Sequence, residues 1–298
     1  MASERPKAGV GVLFNPALID FVGTHGEALD YLAVIPDRCW ADPGPSGTGR
    51  FRELAAPLAI IERAALRLPV VLHSIGMSLC SAEVFDLAYV ENLAGWCRRF
   101  DCRWASEHLS FTRVGGGHEV NASLALPVAY DAELLELLAP RVRDVQRRLG
   151  RPFLLENNVY YVDFPEQEMG EAAFLNRLMD ETDCGLLLDL HNVHTNARNH
   201  GFDAESFLHA LDLERVLEIH VAGGDEMMGF HTDSHTGPVT PEVWRLLECV
   251  APHATQLRGV TFEFHESSWP LLHAAGVQAQ LDRAREILGS CAVATAAA

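Results

Sequence analysis

Residues 186–200 read LLLDLHNVHTNARNH. The stretch opens as a buried strand does, on three leucines, and then delivers one aspartate, three histidines and three asparagines in twelve residues. Seven other apolar, β-rich runs surround it: GVGVLF (9–14), YLAVI (31–35), PVVLHS (69–74), CRWASEHL (102–109), PFLLEN (152–157), VLEIHVA (216–222) and GVTFEF (259–264). With GLLLDL (185–190) they make eight. Between them lie stretches with apolar residues at three- and four-residue spacing, such as FRELAAPLAIIERAALRL (51–68) and AELLELLAPRVRDVQRRLG (132–150). Thr240 with Pro241 opens TPEVWRLLECV as a helix N-cap followed by a proline in its first turn. Eight strands alternating with helices predict an α/β fold, a single (β/α)8 TIM barrel, with a doubly wound open sheet as the alternative.

The barrel is expected to occupy residues 8–288 of one 1–298 domain, with a frayed tail at 291–298. FTRVGGGHEVNASLALP (111–127) reads as a Gly-tipped hairpin inserted after the fourth strand, because glycine relieves the positive φ of a tight turn. GGDEMMGFHTDSHTGPV (223–239), after the seventh strand, is too polar for core.

Lys+Arg total 23 against Asp+Glu 41, a formal charge of −18, which points away from nucleic acid. Seven cysteines, an odd number with no CxxC pair, argue against a disulfide framework and against a thiolate metal site. There is no apolar signal region at MASERPKAGVGVLF and no run of membrane-spanning length, so the chain reads as cytoplasmic, with no membrane partner.

The active site of a parallel barrel lies at the C-terminal ends of its strands. Strand three ends at His73, four at His108, five at Glu156, six at Asp189, seven at His220 and eight at Glu263. Asn192 follows Asp189, and the loop after strand seven adds Asp233 and His235. Burying an ionised carboxylate costs several kcal/mol unless a cation compensates. Arg103 and Arg113 are the basic residues nearest these ends, too few to answer every carboxylate. A multinuclear metal site satisfies all of these groups together. Imidazole with carboxylate and no thiolate suits iron, zinc or manganese. Nine ligands suit two or three ions, with Glu156 as the bridge. No side chain stands out as a catalytic acid or base, so the chemistry is assigned to the metals. His265 shares a strand face with Glu263, Asn157 follows Glu156, and both are candidate substrate contacts. Glu107 should face away from His108, towards the helices. His118, His209 and His253 read as surface residues.

VLHSIGMSL, SEHLSF, LGRPFLLENNVYY, CGLLLDLHNV, NHGFD, EIHVAG and DSHTGPV…VW, in this order over residues 8–288, resemble the DUF692 (UPF0276) family of multinuclear non-heme iron-dependent oxidative enzymes. More distantly the ligand order is similar to xylose-isomerase-like and endonuclease IV-like barrels, although the DNA-repair relatives carry a histidine where this chain has Asn192. The resemblance implies two or three irons, mixed Fe(II) and Fe(III), with O2 as co-substrate. The first takes His73, His108 and Glu156; the second Glu156, Asp189, His220 and Glu263; the third Asn192, Asp233 and His235. It also implies oxidative modification of a ribosomally made precursor peptide at Cys or at Asp/Asn, helped by a leader-binding partner protein. One stretch departs from the family pattern. Where many relatives carry E.H.EN, this chain reads AVIPDRCW (33–40), so Asp37 and Arg38 become the substrate contacts to test. The alternative on the same barrel is a zinc or manganese hydrolase acting on phosphoesters, or a sugar isomerase. A non-enzymatic metal-binding subunit is the third reading.

Overall fold

The computed structural model describes residues 8–45, 47–115, 120–162 and 164–297. All eight expected strands form: β1 (Gly9–Leu13), β2 (Tyr31–Val34), β3 (Val70–Ser74), β4 (Ala105–His108), β5 (Phe153–Glu156), β6 (Gly185–Asp189), β7 (Val216–Ala222) and β8 (Gly259–Glu263). They close into a barrel in sequence order, β1 returning to pair with β8. The architecture is the TIM barrel that the alternation of strand and helix predicts, and the open sheet is excluded. The helices are α1 (Ile19–Thr24), α2 (Ala55–Ala65), α3 (Leu87–Arg99), α4 (Ala132–Leu149), α5 (Glu171–Thr182), α6 (Leu190–His200), α7 (Ala204–Ala210), α8 (Pro241–Val250) and α9 (Trp269–Ala297).

Contacts divide the chain into two compact units, residues 32–184 and residues 1–31 with 185–298. In the first, β2 to β5 pair in parallel, and register sets His73 beside Ser106 and His108 beside Glu156. Helix α4 starts at Asp131, whose carboxylate accepts the Leu134 N–H, and stops at Gly150, whose left-handed φ of 60° favours a residue without Cβ. The expected hairpin is present as antiparallel strands Phe111–Val114 and Val120–Leu126; the centre of its turn, with His118, lies outside the described residues. Two arginines tie down the start of α3. Arg50 pairs with Asp42 and Asp86 at 2.6 Å each, and Arg113 reaches Asp86 at 2.9 Å. Arg113, considered as a counter-ion for the strand ends, is therefore committed to the cap of α3.

In the second unit β1, β8, β7 and β6 lie side by side, with Asp189 opposite His220 and His220 opposite Thr261. The glycines of β1 and β8 make room for one large side chain. A Cβ on Gly11 would lie 2.7 Å from the Tyr31 ring, and one on Gly259 2.5 Å from its hydroxyl. Burial of Phe21, Phe262 and their neighbours, at about 1.5–3 kcal/mol per large side chain, holds this packing together. The polar insertion folds as a small hairpin, Glu226–Met227 against Phe230–His231. Its turn residues Met228 and Gly229 both have positive φ, 54° and 84°, as a two-residue hairpin turn demands. Thr240 caps α8 with Pro241 in the first turn, as expected. Residues 291–297, expected as a loose tail, continue α9; they are mostly alanine, the strongest helix former.

Candidate metal centre

In the unit of residues 32–184, three strand ends bring His73, His108 and Glu156 together. Their ligand atoms lie within 4.8 Å of one another. The Nε2 atoms of His73 and His108 stand 3.4 and 3.3 Å from Oε2 of Glu156. Glu156 is 2 % exposed. Two donors bound at about 2.0–2.2 Å to one ion lie roughly 3.0–3.5 Å apart, so this spacing fits a shared cation better than a charge-assisted hydrogen bond of about 2.7–2.9 Å.

In the other unit, Asp189, His235 and Glu263 form a second such group. Asp189 ends β6 and at once caps α6, its Oδ1 accepting the Asn192 N–H at 2.7 Å. This explains the abrupt change of character in residues 186–200: the oily strand runs into a helix with no loop, and the first turn is polar because it sits at the strand's end. His220 Nδ1 abuts Glu263 Oε1, while His235 Nδ1 lies 3.3 Å from Glu263 Oε2 and its Nε2 2.7 Å from Asp233 Oδ1. Against the opposing pull of burial, Asp233 and Glu263 push the His235 pKa up to about 10. The backbone of His235 has φ 49°, a left-handed conformation that costs a non-glycine residue about 1 kcal/mol or more and clusters at functional sites. Carboxylate and imidazole donors without thiolate, gathered in buried groups, fit iron, manganese or zinc.

A family model described as RiPP precursor modification enzyme MbnB/TglH/ChrH matches residues 9–288. The chain belongs to this family. Its members act on ribosomally synthesised peptides that are modified after translation. A UPF0276 protein of Caulobacter vibrioides is 36% identical over 248 residues, 83% of this chain and 84% of the relative. One from Neisseria meningitidis serogroup B is 41% identical over 189 residues, 63% of this chain and 66% of the relative. Among solved structures, a xylose isomerase domain-containing protein of Salmonella typhimurium superposes with TM-score 0.63 at 12% identity, covering 96% of this chain and 99% of that one. D-psicose 3-epimerase of Clostridium cellulolyticum gives TM-score 0.61 at 10% identity, over 94% and 99%. At such identities the likeness is one of fold.

For this member of the MbnB/TglH/ChrH family, sequence reasoning passed over the residues that hold the candidate ligands in place. Ser106 Oγ sits 2.9 Å from His73 Nδ1. Glu218 Oε1 lies 3.3 Å from His220 Nε2 and accepts a 2.6 Å hydrogen bond from Thr261, whose Oγ1 is 2.6 Å from the Tyr31 hydroxyl. Glu218 is two residues before His220 on a strand, hence on its face, and a carboxylate inside such a run is the signal that could have found it. Glu107, expected to face away from the site, is buried and accepts from the Met77 and His108 N–H groups at 2.9 and 3.0 Å, which fixes the chain beyond both histidines. His191, on the first turn of α6, is buried with Nε2 3.9 Å from Asp233 Oδ1; burial pushes its pKa down to about 4.

The candidate substrate residues differ in exposure. Asn157 is buried, and His265 is exposed and bonded to Ser267 at 2.8 Å. Asp37 accepts from the Tyr89 hydroxyl at 2.7 Å and from the Ile75 N–H at 3.2 Å; burial pushes its pKa up to about 7, with Glu107 adding to the rise. Arg38 is exposed. Asn192 is buried on the first turn of α6. Among the described residues, no helix is long and apolar enough to cross a membrane.

Proposed function

We propose that the chain is an iron- and O2-dependent enzyme that oxidatively modifies a ribosomally made precursor peptide, at a Cys or an Asp/Asn residue, in the cytoplasm and with a leader-binding partner protein. The observation that carries the reading is the trio His73, His108 and Glu156, whose ligand atoms are spaced for a cation inside a chain of a peptide-modifying family. His73, His108 and Glu156 would hold one iron; Glu156, Asp189, His220 and Glu263 a second; Asn192, Asp233 and His235 a third. Bound irons would supply Lewis acidity and redox capacity. The chain supplies orientation: Ser106 holds the His73 ring and Glu218 the His220 ring, so ligand geometry is set before any ion arrives. Asn157, His265, Asp37 and Arg38 are the proposed substrate contacts.

The test is anaerobic reconstitution with ferrous salt, iron quantification, Mössbauer spectroscopy, and oxygen uptake with a precursor peptide. Two or three irons per chain, with O2 consumed only when peptide is present, is the expected outcome. A protein that retains zinc or manganese, takes up no iron and hydrolyses or isomerises its substrate would establish the alternative.

A further inference from the structure

Beside the trio of residues 32–184 lies a cleft of about 420 Å3, including the solvent at its mouth. The chain leads straight into it: Leu109 follows the candidate ligand His108, and Asn158 comes two residues after Glu156; both line it. Its walls combine apolar and aromatic side chains, Val128, Tyr130, Tyr160 and Phe164, with the amides of Asn158 and Gln167. One of its lining side chains is a carboxyl group. Glu171 opens helix α5 and is 7 % exposed, yet its Oε1 has no hydrogen-bond partner. The buried Tyr130 hydroxyl is the neighbour that acts on the same carboxyl.

A buried carboxyl oxygen without a donor is costly, and natural interiors seldom keep one without a use. Burial pushes the Glu171 pKa up to about 8, which a hydrogen bond from Tyr130 only partly offsets. Both effects reverse when a cationic donor enters. Such a donor completes the hydrogen bonding of Oε1 and compensates the charge of the ionised form. The aromatic rings of Tyr130, Tyr160 and Phe164 among the lining residues suit a cation, and the apolar side chains suit an aliphatic stem. A chain with formal charge −18 also draws basic peptides towards it.

We propose that this cleft is a subsite for a basic side chain of the peptide, its aliphatic stem between the apolar walls and its cationic end on Glu171. The proposal rests on the reading of the chain as a peptide-modifying enzyme, and it names a residue class in the peptide.

The test titrates the full-length protein, by NMR, with Nα-acetyl-lysine methylamide and with its uncharged counterpart Nα-acetyl-norleucine methylamide. The lysine derivative should bind at least tenfold more tightly. Glu171→Gln, which keeps the volume and the fold (checked by thermal melting), should erase that preference. Val159→Trp, filling the half-buried side of the cleft, should abolish binding of both. Equal binding of the two probes, tighter binding of norleucine, a lysine preference that survives Glu171→Gln, or no binding at millimolar concentration would each overturn the proposal. Because binding is read without iron or turnover, its failure is separable from failure of the oxidative reading. A Glu171→Gln enzyme that oxidises its peptide with unchanged KM would also sink the subsite while leaving the activity intact.

Discussion

His73, His108 and Glu156 come from the ends of three strands, whereas the second group draws on a strand end that doubles as a helix cap (Asp189), two further strands (His220, Glu263) and a loop (Asp233, His235). The first group sets two imidazoles around one carboxylate and holds a ring with a neutral hydroxyl, Ser106. The second gathers three carboxylates around two imidazoles and holds a ring with a fourth carboxylate, Glu218. It also needs a left-handed histidine, at φ 49°. A site made of strand ends is placed by sheet register and costs little to preorganise. One that recruits a loop stores backbone strain and like-charge repulsion, which a bound cation relieves. The first group should therefore keep its shape without metal, and the second should depend on it.

The largest effect that can break this comparison is expected at Glu156. Glu156→Ala should remove more than one metal equivalent and lower turnover at least about a thousandfold, because it deletes the proposed bridging carboxylate; full stoichiometry by elemental analysis would refute the bridge. Next, Asp189→Asn should cost about one equivalent. Asparagine caps helices as well as aspartate does, so the melting temperature of the metal-free protein should barely move, within about 0.5 kcal/mol. A large stability loss would mean that Asp189 serves the fold first. Glu218→Gln should weaken metal binding about 10- to 100-fold in chelator competition, the usual consequence of losing a carboxylate behind a ligating histidine. Ser106→Ala, which removes a neutral partner from His73, should weaken it only about threefold. If Ser106→Ala proved as harmful as Glu218→Gln, the contrast between the two groups would collapse.

Much of this was legible in the sequence because strands carry period-two patterning and the ends of parallel strands carry chemistry. All eight apolar runs became barrel strands, with ends shifted by no more than three residues. Five of the proposed ligands fall at strand ends or in their last residues for that reason, and His220 lies two residues inside β7. Less legible were partners joined across strands. Ser106 and Thr261 look like ordinary strand residues until register sets them beside His73 and His220. Glu218 hid in a run that reads as hydrophobic. Glu171 resembles any acidic residue in the first turn of a helix, and only the packing of Tyr130 and its neighbours shows it to be buried. The arginines near the strand ends were ambiguous in the sequence; Arg113 proves to be committed to Asp86.

The most direct test is a crystal structure of the protein reconstituted anaerobically with ferrous salt, with anomalous diffraction recorded on both sides of the iron absorption edge. Iron peaks within about 2.0–2.3 Å of His73, His108 and Glu156, and others among Asp189, His220 and Glu263, are predicted. The first three side chains should hardly move from their metal-free positions, while the loop bearing Asp233 and His235 should tighten. Loaded crystals in which these side chains surround only solvent, with iron bound elsewhere or not at all, would contradict the account.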